Sequence, residues 1–297
     1  MHAAEAQQVW KAFNSRTVVQ DVSFTVDSGE ILGLVGPNGA GKTTTIRMLL
    51  DIIKPDQGQV LLFGEHFCAQ HRKLLGYLPE ERGLYRGLRV KETLEYLGAL
   101  RGMDRAMARE RAEAVLDRVG MSPHRSAKVG ELSRGMAQLV QFAATIMHRP
   151  RLIVMDEPFS GLDPVNTRTL EEILLEMRQQ GAAIILSTHQ MNQVEKLCDR
   201  VLMINQGRMM LYGSLGEIRT AHSQGSILLE CKGHPGDLPG VEKVAHHGTF
   251  YELVLAHGAS PQAVLEALVQ RSIAVQRFEV SALPLEEIFI RVVRAAQ

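Results

Sequence analysis

The residues best suited to do chemistry lie in one glycine-rich segment, Gly36-Pro37-Asn38-Gly39-Ala40-Gly41-Lys42-Thr43. Its spacing is that of a phosphate-binding loop, provided that a strand precedes it and a helix follows. Glycines let backbone N–H groups turn towards phosphate oxygens, and the start of the helix adds partial positive charge. Lys42 would then reach the β- and γ-phosphates, and the Thr43 hydroxyl would ligate Mg²⁺. The alternative is a chance glycine-rich turn.

Two further polar groups follow strand-like segments. Asp156 and Glu157 come directly after the apolar run Leu152–Met155. Asp156 can hold Mg²⁺ there, and Glu157 can polarise an attacking water as a general base. Without the glycine-rich loop, solvated acids at a strand end would be the simpler interpretation. His189 follows the run Ala182–Leu186 and could contact a terminal phosphate, because ligands bind beyond the carboxyl ends of parallel strands.

Two more candidates stand where helices are predicted to begin. Ser133 precedes the helical pattern Arg134–His148, which also contains Gly135, and Asp163 precedes the pattern Pro164–Gln180. Ser and Asp are favoured N-cap residues, so a plain cap is the simplest interpretation of each. The start of the Ser133 helix is also a second anion-binding helix end, in addition to the glycine-rich loop.

The elements that would position these groups alternate between strand and helix. A helix is expected over Thr43–Ile53, stopped by Pro55, and residues 88–148 are expected to be mainly helical. Strands that are apolar throughout are typical of a parallel sheet covered on both faces, and we predict such an α/β fold. The predicted strands are Val18–Val26, Glu30–Val35, residues 59–63, Leu152–Met155, Ala182–Leu186 and Val201–Asn205.

The pattern changes near Thr220–Gly225, which predicts a small C-terminal α+β domain. We expect a first domain of residues 1–222 and an accessory domain of residues 224–297. The accessory domain would be ferredoxin-like, with its first helix reduced to a loop at Gly233–Pro239. Its strands are predicted at residues 227–230, 241–245, 250–255 and 274–280, and its helices at residues 261–270 and 285–293.

Composition excludes several classes of protein. The 297 residues carry 33 Lys and Arg against 33 Asp and Glu, so the basic excess of a typical nucleic-acid-binding protein is missing. No apolar run approaches the roughly 18–20 residues that span a bilayer, and the first ten residues do not resemble a secretory signal. We therefore expect an intracellular protein that acts on a membrane only through another chain. Cys68, Cys198 and Cys231 form no paired motif, so neither a zinc site nor a disulfide framework is expected.

The order of these motifs resembles that of the ATP-binding subunit of ABC transporters, over residues 8–220. The glycine-rich loop corresponds to the Walker A motif, to which the resemblance adds Thr44 as a nucleotide contact. The motif Leu132-Ser133-Arg134-Gly135-Met136 resembles the LSGGQ signature. In the same resemblance Asp156 and Glu157 end Walker B, Asp163 lies in the D-loop, and His189 is the switch histidine.

Two further positions depend on the resemblance alone. Phe13 falls where the family stacks an aromatic ring on adenine, although a core phenylalanine is the alternative. The segment Tyr77–Glu81, called the Q-loop here, has Glu80 where the family has glutamine, and its carboxylate could still ligate Mg²⁺. In the signature, Arg134 replaces a glycine and Met136 the glutamine, whereas Ser133 and Gly135 are kept. We therefore expect an active site.

The resemblance implies ATP, Mg²⁺ and two kinds of partner. Two ATP-binding subunits, expected to be identical, would pair head to tail with ATP between the glycine-rich loop of one and the signature of the other. The pair would lie on the inner face of the cell membrane, under a separate integral membrane permease. The segment Glu80–Tyr85, Arg134 and the C-terminal Leu285–Phe289 resemble a sodium- or drug-exporter branch.

Two other functions compete with transport. A soluble ABC-type ATPase of ribosomes usually has two cassettes, and one of DNA repair has a long insertion between Lys42 and Ser133, where this chain has only residues 43–132. A regulatory ATP-binding module would be expected to lack Lys42 or Glu157, and both are present. Nucleic acid is therefore not an expected partner.

Overall fold

The computed structural model describes residues 2–81, 83–222, 225–256, 258–280 and 284–295. They form two compact units, Met1–Gly213 and Ser214–Gln297. The expected boundary lay at residues 222–224, of which Ser223 and Gln224 are outside the described residues. The structure instead groups the helix Leu215–His222 with the second unit, where it contacts the helix Leu285–Ala295.

The first unit contains a nine-stranded sheet and six α-helices among its described residues. In chain order, its elements are β1 (His2–Phe13), β2 (Arg16–Asp27), β3 (Ile31–Val35), α1 (Lys42–Leu49), β4 (Gln57–Leu62), β5 (Leu75–Leu78), α2 (Val90–Leu100), α3 (Arg105–Arg118), α4 (Arg134–Ile146), β6 (Leu152–Asp156), α5 (Pro164–Gln179), β7 (Ala183–Thr188), α6 (Met191–Leu197), β8 (Arg200–Asn205) and β9 (Arg208–Ser214).

The parallel part of the sheet explains why the candidate residues can meet. The strand order is β4-β1-β2-β9-β8-β3-β7-β6-β5, and the neighbours from β8 to β5 are all parallel. Residues of β3, β6 and β7 are buried along their whole length, as expected for strands covered on both faces. The carboxyl ends of these strands therefore lie at one edge of the sheet.

Three local predictions for this unit were wrong. β1 was not predicted, since its Ala, Gln and Glu residues have low strand propensity, and it forms because β2 and β4 pair with its two sides. The strand β9 was also missed. α1 ends at Leu49 rather than Ile53, and Asp51 just beyond it has φ +59°, a left-handed conformation that cannot continue the helix.

The second unit is a small α+β domain, as expected. Its elements are α7 (Leu215–His222), β10 (Ser226–Cys231), β11 (Val241–His246), β12 (Tyr251–Leu255), α8 (Pro261–Gln270), β13 (Val275–Val280) and α9 (Leu285–Ala295). The four strands are antiparallel in the order β11-β12-β10-β13, which is the ferredoxin-like order. Residues 232–240, all described, hold no helix, so the predicted loop between the first two strands is confirmed.

No helix in the described part of the chain combines the length and apolar character needed to cross a bilayer.

Candidate active site

The glycine-rich loop connects β3 to α1, the context that a phosphate-binding loop requires. Gly36 has φ +153°, and a Cβ there would lie 2.1 Å from the Ile204 carbonyl oxygen. Gly41 has φ +107°, and a Cβ there would lie 2.7 Å from the Val18 carbonyl oxygen. Any larger residue at either position would force the backbone away from β8 or β2, so the loop geometry depends on these glycines.

The Lys42 side chain turns back over this loop. Its Nζ donates hydrogen bonds to the carbonyl oxygens of Gly36 at 2.7 Å and Pro37 at 3.2 Å. Burial lowers the pKa of Lys42 below its usual value, while the nearby Glu157, Asp156 and Glu80 carboxylates oppose that shift. Lys42 thus supplies a partly desolvated positive charge beside three acids.

Asp156 is the centre of a buried hydrogen-bond cluster. The strand register pairs Asp156 of β6 with Ser187 of β7. The Ser187 hydroxyl donates to Asp156 Oδ1 at 2.7 Å, and the Thr43 hydroxyl donates to Oδ2 at 2.7 Å. Asp156 itself is 1% exposed. Ser187 is a site residue whose role the sequence did not reveal, although its place beside His189 was visible.

Glu157 is held by the residues that follow β7. Its Oε1 accepts a bond from the His189 backbone N–H at 3.0 Å and lies 2.7 Å from His189 Nδ1, while Oε2 accepts from the Thr188 hydroxyl at 3.2 Å. Glu157 also has φ +50°, a strained conformation for a residue with a side chain. Strain of this kind is concentrated at functional sites, which fits a carboxylate placed for chemistry.

One cavity gathers most of the predicted site residues. Glu80, which follows β5, reaches the same cavity as the loop and the acidic pair, as its alignment with the Q-loop required. His189 reaches this group through its contact with Glu157. The lining residues are Val18, Asn38, Gly39, Ala40, Gly41, Lys42, Thr43, Thr44, Glu80, Asp156 and Glu157.

Ser133, Gly135 and Asp163 are not among the described residues that line this cavity. Ser133 caps α4, where its Oγ accepts from the Met136 N–H at 3.3 Å, and Asp163 caps α5, where Oδ1 accepts from the Asn166 N–H at 2.9 Å. The hydrogen bond from the backbone N–H of Asn166 is also the main reason that the pKa of Asp163 lies below its usual value. The two helix starts are close, because a Cβ on Gly135 would lie 3.0 Å from the Gly161 carbonyl oxygen.

Phe13 lies at the end of β1, a strand that the sequence analysis did not predict. It pairs with Arg16 across a tight turn and is 46% exposed, so it is not a core residue. Arg16 lines a second cavity together with Pro37, Asn38 and Gln206. The pairing with Arg16 places Phe13 near the margin of the glycine-rich loop, but Phe13 itself lines neither cavity.

The fold and this site define an ATP-binding protein of the ABC type. The family model described as ABC transporter matches residues 19–160, and the model described as ATP-binding protein DrrA1-3-like, C-terminal domain matches residues 213–293. The chain belongs to the family of ABC transporter ATP-binding proteins, which bind and hydrolyse ATP.

Relatives resemble the chain over most of its length. An uncharacterized ABC transporter ATP-binding protein of Alkalihalophilus pseudofirmus is 37% identical over 89% of this chain and 99% of its own. The Nod factor export ATP-binding protein I of a Rhizobium species is 35% identical over 97% of this chain and 96% of its own. A solved ATP-binding subunit of an ABC transporter is 32% identical, with a TM-score of 0.70, over 74% of this chain and 92% of that chain.

A second group of potential metal ligands lies outside this site. Glu65, Cys68 and His71 offer ligand atoms within 4.8 Å of one another, a cluster that the cysteine spacing did not suggest. His71 is buried, and its Nδ1 accepts a bond from the Cys68 backbone N–H at 3.2 Å. The ring also packs against Phe63 and Phe67. These contacts account for His71 as part of a structural turn.

Proposed function

We propose that this chain is the ATP-hydrolysing subunit of an exporter, that it works as a homodimer, and that a separate membrane permease carries the substrate. The cavity that joins Lys42, Asp156 and Glu157 is the observation that carries the proposal, because it gathers a phosphate-binding loop and a general base. The exporter assignment is supported by relatives described as a Nod factor export ATP-binding protein and a linearmycin resistance ATP-binding protein.

The chemistry assigns each residue of the cavity a role. The loop amides and Lys42 bind the β- and γ-phosphates, and Glu157 accepts a proton from the attacking water. His189, beside Glu157, supports the γ-phosphate end. The adenine ring stacks on Phe13, whose exposed ring lies at the margin of the loop. All of these roles are filled by residues of the first unit. The groups that close the site over the γ-phosphate come from a second copy of the chain and are described below.

The donors in the cavity fit Mg²⁺. Thr43 offers a hydroxyl, and Asp156 and Glu80 offer carboxylates, an all-oxygen set of the kind that this ion prefers. When bound, Mg²⁺ neutralises charge on the β- and γ-phosphate oxygens. Thr43 and Asp156 are already joined by a hydrogen bond, so these two donors face the same point.

The closing groups come from a second copy of the chain. Ser133 is an exposed helix cap outside the cavity, yet the N–H groups that follow it form an anion-binding helix end. A head-to-tail pair brings Ser133, Gly135 and Asp163 of one copy to the γ-phosphate bound by the other. ATP then stabilises the closed pair because it contacts both subunits only in that state.

Glu80→Gln is expected to shift the Mg²⁺ dependence of ATP hydrolysis to higher concentration, by about tenfold for the loss of one charged ligand. The amide is a weaker ligand than the carboxylate, while ATP binding without metal should stay within about twofold of wild type. Titration of ATPase activity with Mg²⁺ measures the shift. The neighbouring Glu81→Gln is the matched control and should change little. Equal effects of the two substitutions would show that Glu80 has no metal role.

A groove beside β5 is suited to the permease. It is lined mainly by apolar and basic side chains together with Asp51, and Ile52 among them is 56% exposed. β5 runs from this groove to Glu80, so a partner in the groove could sense the state of the ATP site. The other groove residues are Leu50, Asp51, Phe67, Arg72, Leu75, Tyr77 and Arg101.

Ile52→Asp is expected to reduce co-purification with a multi-helix membrane protein at least about tenfold, because a carboxylate would be buried against the partner. The measurement is capture of the tagged chain from detergent-solubilised membranes of its own cells. Met209→Asp, at an exposed methionine on β9, is the control and should leave capture unchanged. Recovery of ribosomal or DNA-bound partners alone would contradict the transport function.

A further inference from the structure

The helix α4 supplies hydrogen-bond donors along the open side of β5. Among the described strands, β5 is at the end of the nine-stranded sheet, so only β6 pairs with it. Helix residues four and then three positions apart lie on one face, and alternate carbonyls of a strand point to one side. The two periods match over Gln141, Thr145 and His148, the last of which lies two residues beyond α4. His148 Nε2 bonds the Leu75 oxygen at 2.8 Å, and the Thr145 hydroxyl lies 3.3 Å from the Tyr77 oxygen and 2.9 Å from the Gln141 oxygen. Gln141 Nε2 bonds two oxygens just beyond the end of β5, those of Pro79 at 3.2 Å and Glu81 at 3.4 Å.

This row of bonds, called the α4–β5 ladder here, is partly buried and is made by uncharged side chains. Gln141 and Thr145 are each 5% exposed. Burial lowers the pKa of His148 to about 4, so its ring is neutral near pH 7 and Nε2 carries the proton donated to Leu75. Such hydrogen bonds are costly to leave unmade, so the oxygens of Leu75, Pro79 and Glu81 are held to specific side chains of α4 and of the turn that follows it.

Gln141 differs from the other members of the ladder in what it holds. Its single NH₂ group bonds the carbonyls on both sides of Glu80, whereas Thr145 bonds a carbonyl inside β5. The Pro79 carbonyl belongs to the peptide that enters Glu80, and the Glu81 carbonyl lies one residue beyond it, so Gln141 anchors the chain before and after Glu80. This anchoring limits how far the exposed Glu80 side chain can turn away from the cavity that it lines.

The same helix also begins at Ser133, the residue proposed to meet ATP on the second subunit. In the proposed head-to-tail pair, the N-terminus of α4 would contact the partner's nucleotide, while the middle of the same helix anchors the chain on either side of Glu80, which lines this chain's own cavity. A shift of α4 on closure of the pair would therefore reach Glu80 through Gln141.

We propose that Gln141 is a positioning residue for ATP hydrolysis, whose amide holds the backbone around Glu80 so that the Glu80 carboxylate faces Mg²⁺ and ATP. The inference rests on the proposed function, since it assumes that the Glu80 carboxylate ligates Mg²⁺. It extends that function by connecting α4, the helix that begins at the signature, to this Mg²⁺ ligand of the same subunit.

The test is Gln141→Met, which removes the donor but keeps a side chain of similar length. Affinity for a fluorescent ATP analogue is measured with EDTA and with Mg²⁺. The ratio of the affinity with Mg²⁺ to the affinity with EDTA is called the metal gain here. We expect unchanged affinity in EDTA and a metal gain reduced about fivefold, as for the loss of one neutral hydrogen bond. The Mg²⁺ concentration that half-saturates ATP hydrolysis should rise by a similar factor.

Two comparisons separate positioning from loss of packing. Thr145→Val removes the next bond of the ladder and should lower the melting temperature without changing the metal gain. In a Glu80→Gln background, Gln141→Met should reduce the metal gain no further, because the two residues act through one carboxylate. Equal losses of metal gain in the Thr145 and Gln141 variants, or additive losses in the double variant, would overturn the proposal.

Gln141→Glu gives a second route if the methionine variant does not fold. An ionised carboxylate cannot donate to either carbonyl, whereas a protonated one can donate its single O–H to one of them, so the metal gain relative to wild type should rise as the pH is lowered from about 8 to about 6. If the metal gain of Gln141→Glu relative to wild type does not change with pH, the inference is overturned. If the metal gain of Glu80→Gln equals that of wild type, the metal role of Glu80 is overturned as well. If Glu80→Gln loses metal gain but Gln141→Met does not, this inference alone is overturned.

Discussion

Replacing Glu157 with glutamine is expected to slow ATP hydrolysis by about a hundredfold or more, the usual contribution of a general base. The amide keeps the size of the side chain but cannot take a proton from water. ATP binding should persist, because Lys42 and the loop amides are unchanged. ATP should therefore accumulate in a closed dimer. Turnover by steady-state ATPase assay and dimer formation by size-exclusion chromatography with ATP and Mg²⁺ measure the two effects.

The control for this variant is Glu172→Gln, at an exposed glutamate on α5 whose charge pairs only with Arg168 in the described contacts. It should hydrolyse ATP at the wild-type rate. Glu157 accepts bonds from Thr188 and His189, so a melting temperature is needed to show that the glutamine variant remains folded. Turnover of a folded Glu157→Gln protein within about threefold of wild type would be inconsistent with the role of a general base.

The second large effect is expected when two inactive variants are combined. Lys42→Ala removes the phosphate-binding ammonium. Ser133→Asp keeps the helix cap, because Asp caps as well as Ser, but places a carboxylate where the partner's γ-phosphate should lie. Each variant alone is expected to lose at least about 95% of its ATPase activity, as charge loss or like-charge repulsion at a phosphate site is severe.

A heterodimer of the two variants should regain activity. In a head-to-tail pair both defects fall in one site, and the other site combines the intact Lys42 with the intact Ser133. Co-expression with two affinity tags isolates the mixed pair, which should hydrolyse ATP at about half the wild-type rate because one of two sites is complete. Two Lys42→Ala chains with different tags provide the control. If the mixed pair stays as inactive as its parents, the proposal that Lys42 of one chain and Ser133 of the other share one ATP site is wrong.

Local sequence was sufficient for the elements that carry the site. The phosphate-binding loop was predicted from glycines and a lysine within eight positions, and it lies between a strand and a helix as required. The caps Ser133 and Asp163 were predicted from residue type alone and are confirmed by bonds to N–H groups three residues later. These features depend on contacts over a few residues, so the chain encodes them directly.

Other local features were decided by partners distant in sequence. β1 has few residues that favour strands, and its conformation depends on pairing with β2 and β4. The end of α1 was misplaced because Pro55 was taken as the stop signal, whereas the chain leaves the helix at Leu50 and turns at Asp51. The four strands and the last two helices of the second unit were predicted in order and type, since alternating strand and helix patterns set a ferredoxin-like order with few alternatives. The helix α7 at the start of this unit was not predicted.

The sequence by itself determined the motifs and their chemical types, and so the class of protein. Only the tertiary structure decided which motifs share a cavity. The register of β6 against β7 pairs Ser187 with Asp156, and the packing of α4 beside β5 places Gln141 against the Pro79 and Glu81 carbonyls that follow this strand. Both results depend on strand order, which follows from packing the whole chain, so no local pattern could have predicted them.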